Sequence, residues 1–356
     1  MEFIKLTQER YKEWDDFCEA SDDAWFWHTS SWLEYSLKYN QKLKAESKSF
    51  MVYNNNELIA ICPLILQING KGIKELCYNN EHGPMPAFCN NLSKKTNEKA
   101  MKDIYNYIDK IAEENNVARI MLRFTVLSKS FIEASRQAFN YLMKFAYLDN
   151  SINTQIINLN QPIEILKKDL RNDHKNNIKK ISQKLSTEIF GKNNIADSIF
   201  NQYVGMHHKA AGRVTRPRST FNLMHDLIKE GSAFLVGAKR DGVFIGFSYF
   251  FVFKDNVYYG SSCNDPELKS MPVSHVVQWA AIQYMAEKKY KFYELGWQQF
   301  GLQLYDMPSQ KQINISEFKR GFGGFTVPWL RGEKFYDKNY FLEIHKDRIK
   351  KYSEQL

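Results

Sequence analysis

The chain lacks any apolar run long enough to cross a membrane. The longest, Leu58–Ile68 and Gly246–Phe253, fall well short of the roughly 18–20 residues that a spanning helix needs. The N-terminal segment MEFIKLTQERYKEWD is charged almost from its start, unlike the apolar core of a secretory signal. A soluble, cytoplasmic protein without stable membrane insertion is expected. Cysteine is scarce and unpatterned. Cys18, Cys62, Cys77, Cys89 and Cys263 form no CxxC pair and no Cys/His spacing suited to zinc, so neither a disulfide framework nor a metal site is expected. Reduced, structural thiols fit that setting. No activating base accompanies Cys263, which argues against a cysteine nucleophile.

What is present fits a globular protein. The 356 residues suggest two domains. Hydrophobic residues make up 44% and charged residues 25%, which excludes a disordered or fibrous chain. Aromatics reach 15%, enough to fill a large core and still line a cleft. The net charge is +9, and it is not spread evenly. Ile163–Lys192 holds eight Lys/Arg against four Asp/Glu, and Lys209–Arg218 holds four cations and no acid. Each segment is either a solvated face or a contact with a phosphorylated or polyanionic ligand.

Local patterns predict a mixed α/β first half. Helices are expected over Gln8–Ala20, after an N-cap at Ser30 or Ser31, and over Asn97–Asn115. Strands are expected at Ser49–Tyr53, Leu58–Gln67 and Ala118–Phe124, with Thr154–Leu159 as a closing strand. Gly83–Pro86 reads as a rigid loop. In the second half Ile163–Lys192 reads as a basic helical stretch, followed by helices Ala196–Ala211 and Phe221–Lys229. Strands Ala233–Lys239, Val243–Phe253 and Val257–Cys263 come next. Asp241-Gly242 marks a two-residue hairpin between the first two. Helix Val273–Lys288, with Ser270 as its expected cap, and strand Phe292–Leu295 complete the series.

Four segments stand out in this half: Asp169–Lys180, Ser274–Ile282, Tyr293–Gly296 and Ile315–Gly324. In the last, Gly321, Gly323 and Gly324 let backbone approach a ligand closely. Lys319 adds a cation able to meet a phosphate or the oxyanion of acyl transfer. A glycine-rich turn with a solvated lysine is the plainer reading.

The element order of this half is that of the GNAT N-acyltransferase fold. In order and spacing the four segments resemble the basic helix, Gln-Trp helix, Tyr-x-x-Gly strand and Phe-Lys-x-Gly-Phe-Gly motif of the Fem-type aminoacyltransferases and related acetyltransferases. The resemblance covers residues 160–330 well. It covers residues 1–155 in outline, through Thr29–Leu33 and the Gly-Pro-x-Pro loop. It implies an α/β (α+β) chain of two tandem GNAT-like domains, each a mixed, mostly antiparallel sheet flanked by helices. The expected domains are residues 1–158 and 159–334, with 335–356 packing back on the first. It also implies an amide-forming transfer to an amine of a nucleotide-linked or other small-molecule envelope or glycan precursor. The co-substrate would be acyl-CoA or aminoacyl-tRNA, with no cofactor held.

By that resemblance Lys319 lies beside the donor, with Phe318 as a stacking partner and Gly321 and Gly323 in the same motif. Arg213, Arg216 and Arg218 on the loop after the first long helix are candidates to hold a phosphate or carboxylate. His207, His208 and His275 could accept a proton, or pack structurally. Glu294 shares a strand face with Phe292 and is either a proton acceptor or a hydrogen-bond anchor. Trp297 and Tyr259 are candidates to line the cleft. CoA binding in the usual way is not expected, because Asn264–Val273 contains no glycine, two acids and two prolines. A helix N-terminus binds pyrophosphate through free N–H groups, and proline has none. The rival reading is a non-enzymatic nucleic-acid-binding or scaffold protein on the same fold.

Overall fold

The computed structural model describes residues 1–134, 139–268 and 270–356; Lys269, in the glycine-free stretch, lies outside them. The chain divides into two units. Unit 1 comprises Met1–Asn153, Phe300–Ser309 and Pro328–Leu356, and unit 2 comprises Thr154–Gln299 and Gln310–Val327.

Unit 1 holds two sheets. Glu2–Lys5, Phe50–Asn54, Glu57–Cys62 and Ala87–Phe88 form a four-stranded sheet in that order. Around Arg119–Arg123 a second sheet gathers shorter strands, including Ile65–Ile68 and Lys74–Leu76. The strand expected over Leu58–Gln67 is thus two strands in different sheets, broken at Cys62-Pro63-Leu64. Proline has no N–H for a ladder, so the break falls there. Gly83–Pro84 and Ala87–Phe88 add strand pairing inside the expected rigid loop. Helix Lys94–Glu114 buries Ile104, Tyr105 and Ile108 against Phe50, Leu66 and Ile120. Helix Ser30–Tyr39 is capped by Thr29, whose hydroxyl accepts from the Trp32 amide, rather than by Ser30 or Ser31.

Unit 2 is built on one seven-stranded sheet. Its strands are β1 (Ile152–Asn158), β2 (Ser186–Phe190), β3 (Ala233–Arg240), β4 (Val243–Phe253), β5 (Asn256–Asn264), β6 (Phe292–Gln298) and β7 (Phe325–Trp329). The spatial order is β2-β3-β4-β5-β6-β1-β7. Thr154–Leu159 is therefore an inner strand of this sheet, not a closing strand of the first half. Helices α1 (Ile163–Asp169), α2 (Asn172–Ile181), α3 (Asp197–Ala211), α4 (Arg218–Glu230), α5 (Val273–Glu287) and α6 (Gln310–Arg320) accompany it. The basic stretch is not one helix: α1 and α2 are separated at Leu170-Arg171, and its end pairs with β3 as β2. Asp241 and Gly242 both take positive φ, 50° and 81°, as the tight hairpin requires. No side-chain cap comes from Ser270; Pro272 holds the position before α5.

The two faces of the sheet differ. Tyr293 of β6 donates to Gln278 of α5 at 2.5 Å. Phe250, Val277, Ile282, Met285 and Phe322 share that buried cluster. On the other face Tyr249 of β4 donates to the Met224 carbonyl of α4 at 2.8 Å. Tyr203 of α3 lies 2.7 Å from the Ser261 hydroxyl of β5.

Candidate active site

β5 and β6 run parallel but share only three register pairs, Asn256↔Phe292, Val257↔Tyr293 and Tyr258↔Glu294. Beyond Tyr258 they are no longer paired. A bulge in β5 accounts for this locally. Tyr249 pairs with Ser261 and Phe250 with Tyr259, so Gly260 is an extra residue. A bulge bends its strand and unpairs a residue. It also changes which side chains share a face. Residues three apart on a regular strand face opposite sides, yet Tyr258 and Ser261 both face α3 and α4, because their partners Phe251 and Tyr249 do. Glu294, opposite Tyr258, lies on that face as well.

Lys319 reaches this place from the last turn of α6. Its Nζ lies 3.4 Å from the Trp297 carbonyl. Gly296 takes φ 81° between them. A Cβ on Gly296 would come within 3.6 Å of the Lys319 Nζ and 3.2 Å of the Tyr258 hydroxyl. Glycine thus leaves space where the lysine, the tyrosine and the strand edge converge. Burial pushes the Lys319 ammonium down to about 8, against the Glu294 carboxylate, which raises it. Glu294 is 1% exposed, and the Thr154 hydroxyl of β1 donates to it at 2.7 Å. The arrangement combines a half-buried cation, a buried carboxylate and a phenol where a sheet opens. Such a cation meets developing negative charge strongly, because little water screens it.

The structure brings Lys319, Glu294 and Trp297 together. It places the other expected residues elsewhere. His207 forms a cluster on the α3–α4 connection. Thr215 Oγ1 lies 3.1 Å from its Nδ1, and Arg216 Nη2 lies 3.3 Å from its Nε2. Burial first, then the Arg216 charge, pushes His207 down to about 4. The Arg216 guanidinium sits 5.1 Å over the Phe221 ring. His208 packs against the same ring at 5.4 Å. Arg213 is exposed. Arg218 is exposed and donates to Asn222 and Asn201.

Phe318, beside Lys319 on α6, faces a different neighbourhood. His174 of α2, 1% exposed, bonds the Phe318 carbonyl through Nε2 at 2.9 Å. His275 of α5 stands 5.0 Å from the Phe318 ring and 4.5 Å from that of His174. Burial first, then His174, pushes His275 down to about 4. Tyr259 turns toward α5, where its ring stacks on that of Phe250 at 5.8 Å. The glycines expected to admit a ligand are filled by the protein. A methyl on Gly321 would overlap the His174 ring, and one on Gly323 would lie 3.0 Å from Asp169 Cβ. Gly323 also takes φ 86°. Lys319 and Phe318 lie on a helix, and only the turn after it is glycine-rich. Burial pushes the Cys263 thiol up to about 12, so it is not a nucleophile.

Sequence reading gave Tyr258 and Thr154 no role and did not place the bulge. A glycine alone within an apolar strand signals a bulge or a close approach, and Gly260 carried that signal. Thr154 carried none. Among the described residues no helix is long and apolar enough to cross a membrane. No group of three or more metal-ligating side chains occurs among them either.

Residues 168–306 match the family described as Acetyltransferase (GNAT) domain. No curated protein matches the chain in sequence. Solved structures resemble it along nearly its whole length. FemX aligns with a TM-score of 0.66 at 13% identity, covering 97% of this chain and 100% of that one. L-PGS from Bacillus licheniformis aligns at 0.58 and 8%, covering 97% and 96%. A tandem GNAT protein from the clavulanic acid biosynthesis pathway aligns at 0.55 and 11%, covering 94% and 98%. The fold is a tandem GNAT architecture, α/β in class. In fold the chain is similar to FemX.

Proposed function

We propose that the protein is an N-acyltransferase that forms an amide on an amine of an envelope or glycan precursor, with its chemistry at Lys319. The observation that carries this is the half-buried Lys319 ammonium beside buried Glu294 where β5 and β6 part. The acceptor amine attacks the donor carbonyl carbon. A C–N bond forms, and the carbonyl oxygen takes up negative charge that Lys319 stabilises. Collapse of the tetrahedral adduct breaks the bond to the leaving group. The amine's proton passes by way of Glu294 to the departing oxygen or sulfur. Positioning alone can supply much of the rate. His208 is assigned no step, because its ring packs on Phe221.

We infer an aminoacyl-tRNA donor. Most of the described amides in the loop before α5 are spent. Those of Glu267, Leu268, Met271, Val273 and His275 all bond within the loop or the first turn of α5. Its acids Asp265 and Glu267 are paired with Lys209. A pyrophosphate needs free N–H groups at such a helix start. Lys167, Lys168, Lys179, Lys180 and Lys184 are exposed on and beside α1 and α2, a face suited to a polyanion. The acyl-CoA reading is favoured by the family match over residues 168–306. Incubation of the protein with charged tRNA or acyl-CoA and a nucleotide-linked muropeptide, followed by mass spectrometry, separates the readings. Amide product only with charged tRNA supports the inference, and product only with acyl-CoA reverses the donor. Absence of amide with both removes the function, as would equal product from Lys319→Ala.

A further inference from the structure

Unit 2 contains a pocket of about 430 Å³, within the roughly 300–1,000 Å³ of small-molecule sites. It lies on the α5 face of the sheet, opposite the face shared by Tyr258 and Glu294. Phe234 of β3 and Val252 of β4, both buried, line its apolar side. The Phe234 ring is tilted against that of Tyr284 of α5 at 5.0 Å. Tyr290, beyond the end of α5, also lines the pocket. Burial first, then Tyr284, pushes the Tyr290 phenol up, so the two phenols are neighbours. A wall of this kind suits a flat apolar ring.

The rim sets the charge of an occupant. Lys192 and Lys288 line the pocket, and no aspartate or glutamate occurs among its described lining residues. Neither ammonium has an ion-pair partner among the described residues. The two lysines come from different elements. Lys192 lies in the turn after β2, which Asn194 braces. The Asn194 side chain accepts from the Gly191 amide at 2.7 Å and donates to the Ile189 carbonyl at 2.8 Å. A Cβ on Gly231 would lie 3.7 Å from Lys192 Cδ, so the lysine stem runs past the end of α4. Lys288, just beyond α5, holds its ammonium 5.7 Å from the centre of the Tyr284 ring. Its neighbour Glu287 is exposed and outside the wall, and it raises the Tyr284 phenol less than burial does. Asn193 adds an exposed side-chain amide that can donate and accept. Two lysines over a ring-lined apolar floor match a doubly charged anion on a flat body, and lysine meets phosphate as a point charge.

We propose that this pocket binds a ring-bearing phosphate monoester, with the ring against Phe234, Tyr284 and Tyr290 and the phosphate between Lys192 and Lys288. The inference does not rest on the acyl-transfer reading, since none of these residues belongs to the Lys319 site. Titration calorimetry of the full chain with naphthyl phosphate, naphthol and inorganic phosphate tests it, because the first joins the ring of the second to the anion of the third. Naphthyl phosphate should bind at least tenfold more tightly than either part. Lys192→Gln combined with Lys288→Gln should bring it to the level of naphthol. Both side chains are exposed, so this variant should keep the melting temperature of the wild type. Nuclear Overhauser contacts from the naphthyl protons to the Val252 methyls in the wild-type protein should place the ring in the pocket. Competition by AMP and by phenyl phosphate then distinguishes a nucleotide from a simpler aryl phosphate as the source. Naphthyl phosphate binding no more tightly than naphthol or inorganic phosphate overturns the proposal. So does undiminished binding by the double variant, or absence of the Val252 contacts.

Discussion

Tyr258 and Glu294 are the last register partners that β5 and β6 share before the strands part. Both face α3 and α4, and Lys319 acts from α6 on the space beside them. The lysine sits in a partly desolvated place because the sheet opens there, and burial pushes its ammonium down to about 8 for the same reason.

This position makes Lys319 the main determinant of rate. Lys319→Ala should lower kcat by ~10²–10³, the usual cost of losing one oxyanion donor, while circular dichroism and the melting temperature show a folded protein. Lys319→Arg should recover part of that loss. A kcat within twofold of wild type in the alanine variant would remove the assignment.

The pH dependence follows from the same pair. Lys319 must be protonated to stabilise an oxyanion, and its value is about 8. The rate should therefore fall as pH rises through about 8. Glu294 raises that value, so Glu294→Gln should move the alkaline limb to lower pH. A pH–rate profile of the two proteins checks this. A limb that moves upward or stays fixed contradicts the electrostatic link.

Gly321 and His174 should be energetically coupled. A methyl at 321 overlaps the imidazole, and overpacking of this kind costs about 1–3 kcal/mol. His174→Ala removes the ring and its bond to the Phe318 carbonyl. In a double-mutant cycle by urea unfolding, the combined variant should be more stable than the sum of the two losses predicts. Simple additivity would show that the ring is not what excludes a side chain at 321.

The aminoacyl-tRNA reading has its own signature. The logarithm of the binding constant should fall linearly with the logarithm of salt concentration. Reversing the exposed Lys179 and Lys180 to glutamate should weaken binding and flatten that slope, with little change in melting temperature. Equal tRNA affinity in the reversed variant would take α2 out of the donor site. CoA thioesters that raise the melting temperature where tRNA does not would do the same for the donor.

Unit 1 depends on a buried ion network. Glu333 and Glu75 have side chains 2% exposed, and Arg119 bridges them at 3.1 and 2.7 Å. Arg348, on helix Lys338–Ser353, binds Glu333 with both terminal nitrogens. Removing one member leaves buried charge without its partner, at a cost of about 3–5 kcal/mol. Glu333→Ala should lose that much in denaturant unfolding and expose the helix to proteolysis. A change below 1 kcal/mol would show that the network is dispensable.

The legible parts of the fold were those with local causes. β3 and β4 are long, apolar and joined by Asp241-Gly242, so pattern and turn chemistry agree. Unit 1 was harder, because Glu46–Ser47, Gly83–Pro84 and Ala87–Phe88 are too short to show a period. Its apolar run Leu58–Ile68 also hides a change of sheet at Pro63. Lys319 and Glu294 were named from motifs, but their burial side by side is a tertiary fact. Thr154 meets Glu294 across 140 positions, and no local pattern encodes that contact. His174 lay inside a noted motif, yet its role appears only once Gly321 is seen against its ring.

The most direct test of the account is the single-turnover rate of amide formation by wild type and Lys319→Ala, with saturating acceptor and the donor that supports product. Wild type should form amide, and the alanine variant should bind donor equally while forming amide ~10²–10³ more slowly. Equal single-turnover rates in the two proteins would contradict a chemical role for the lysine beside Glu294.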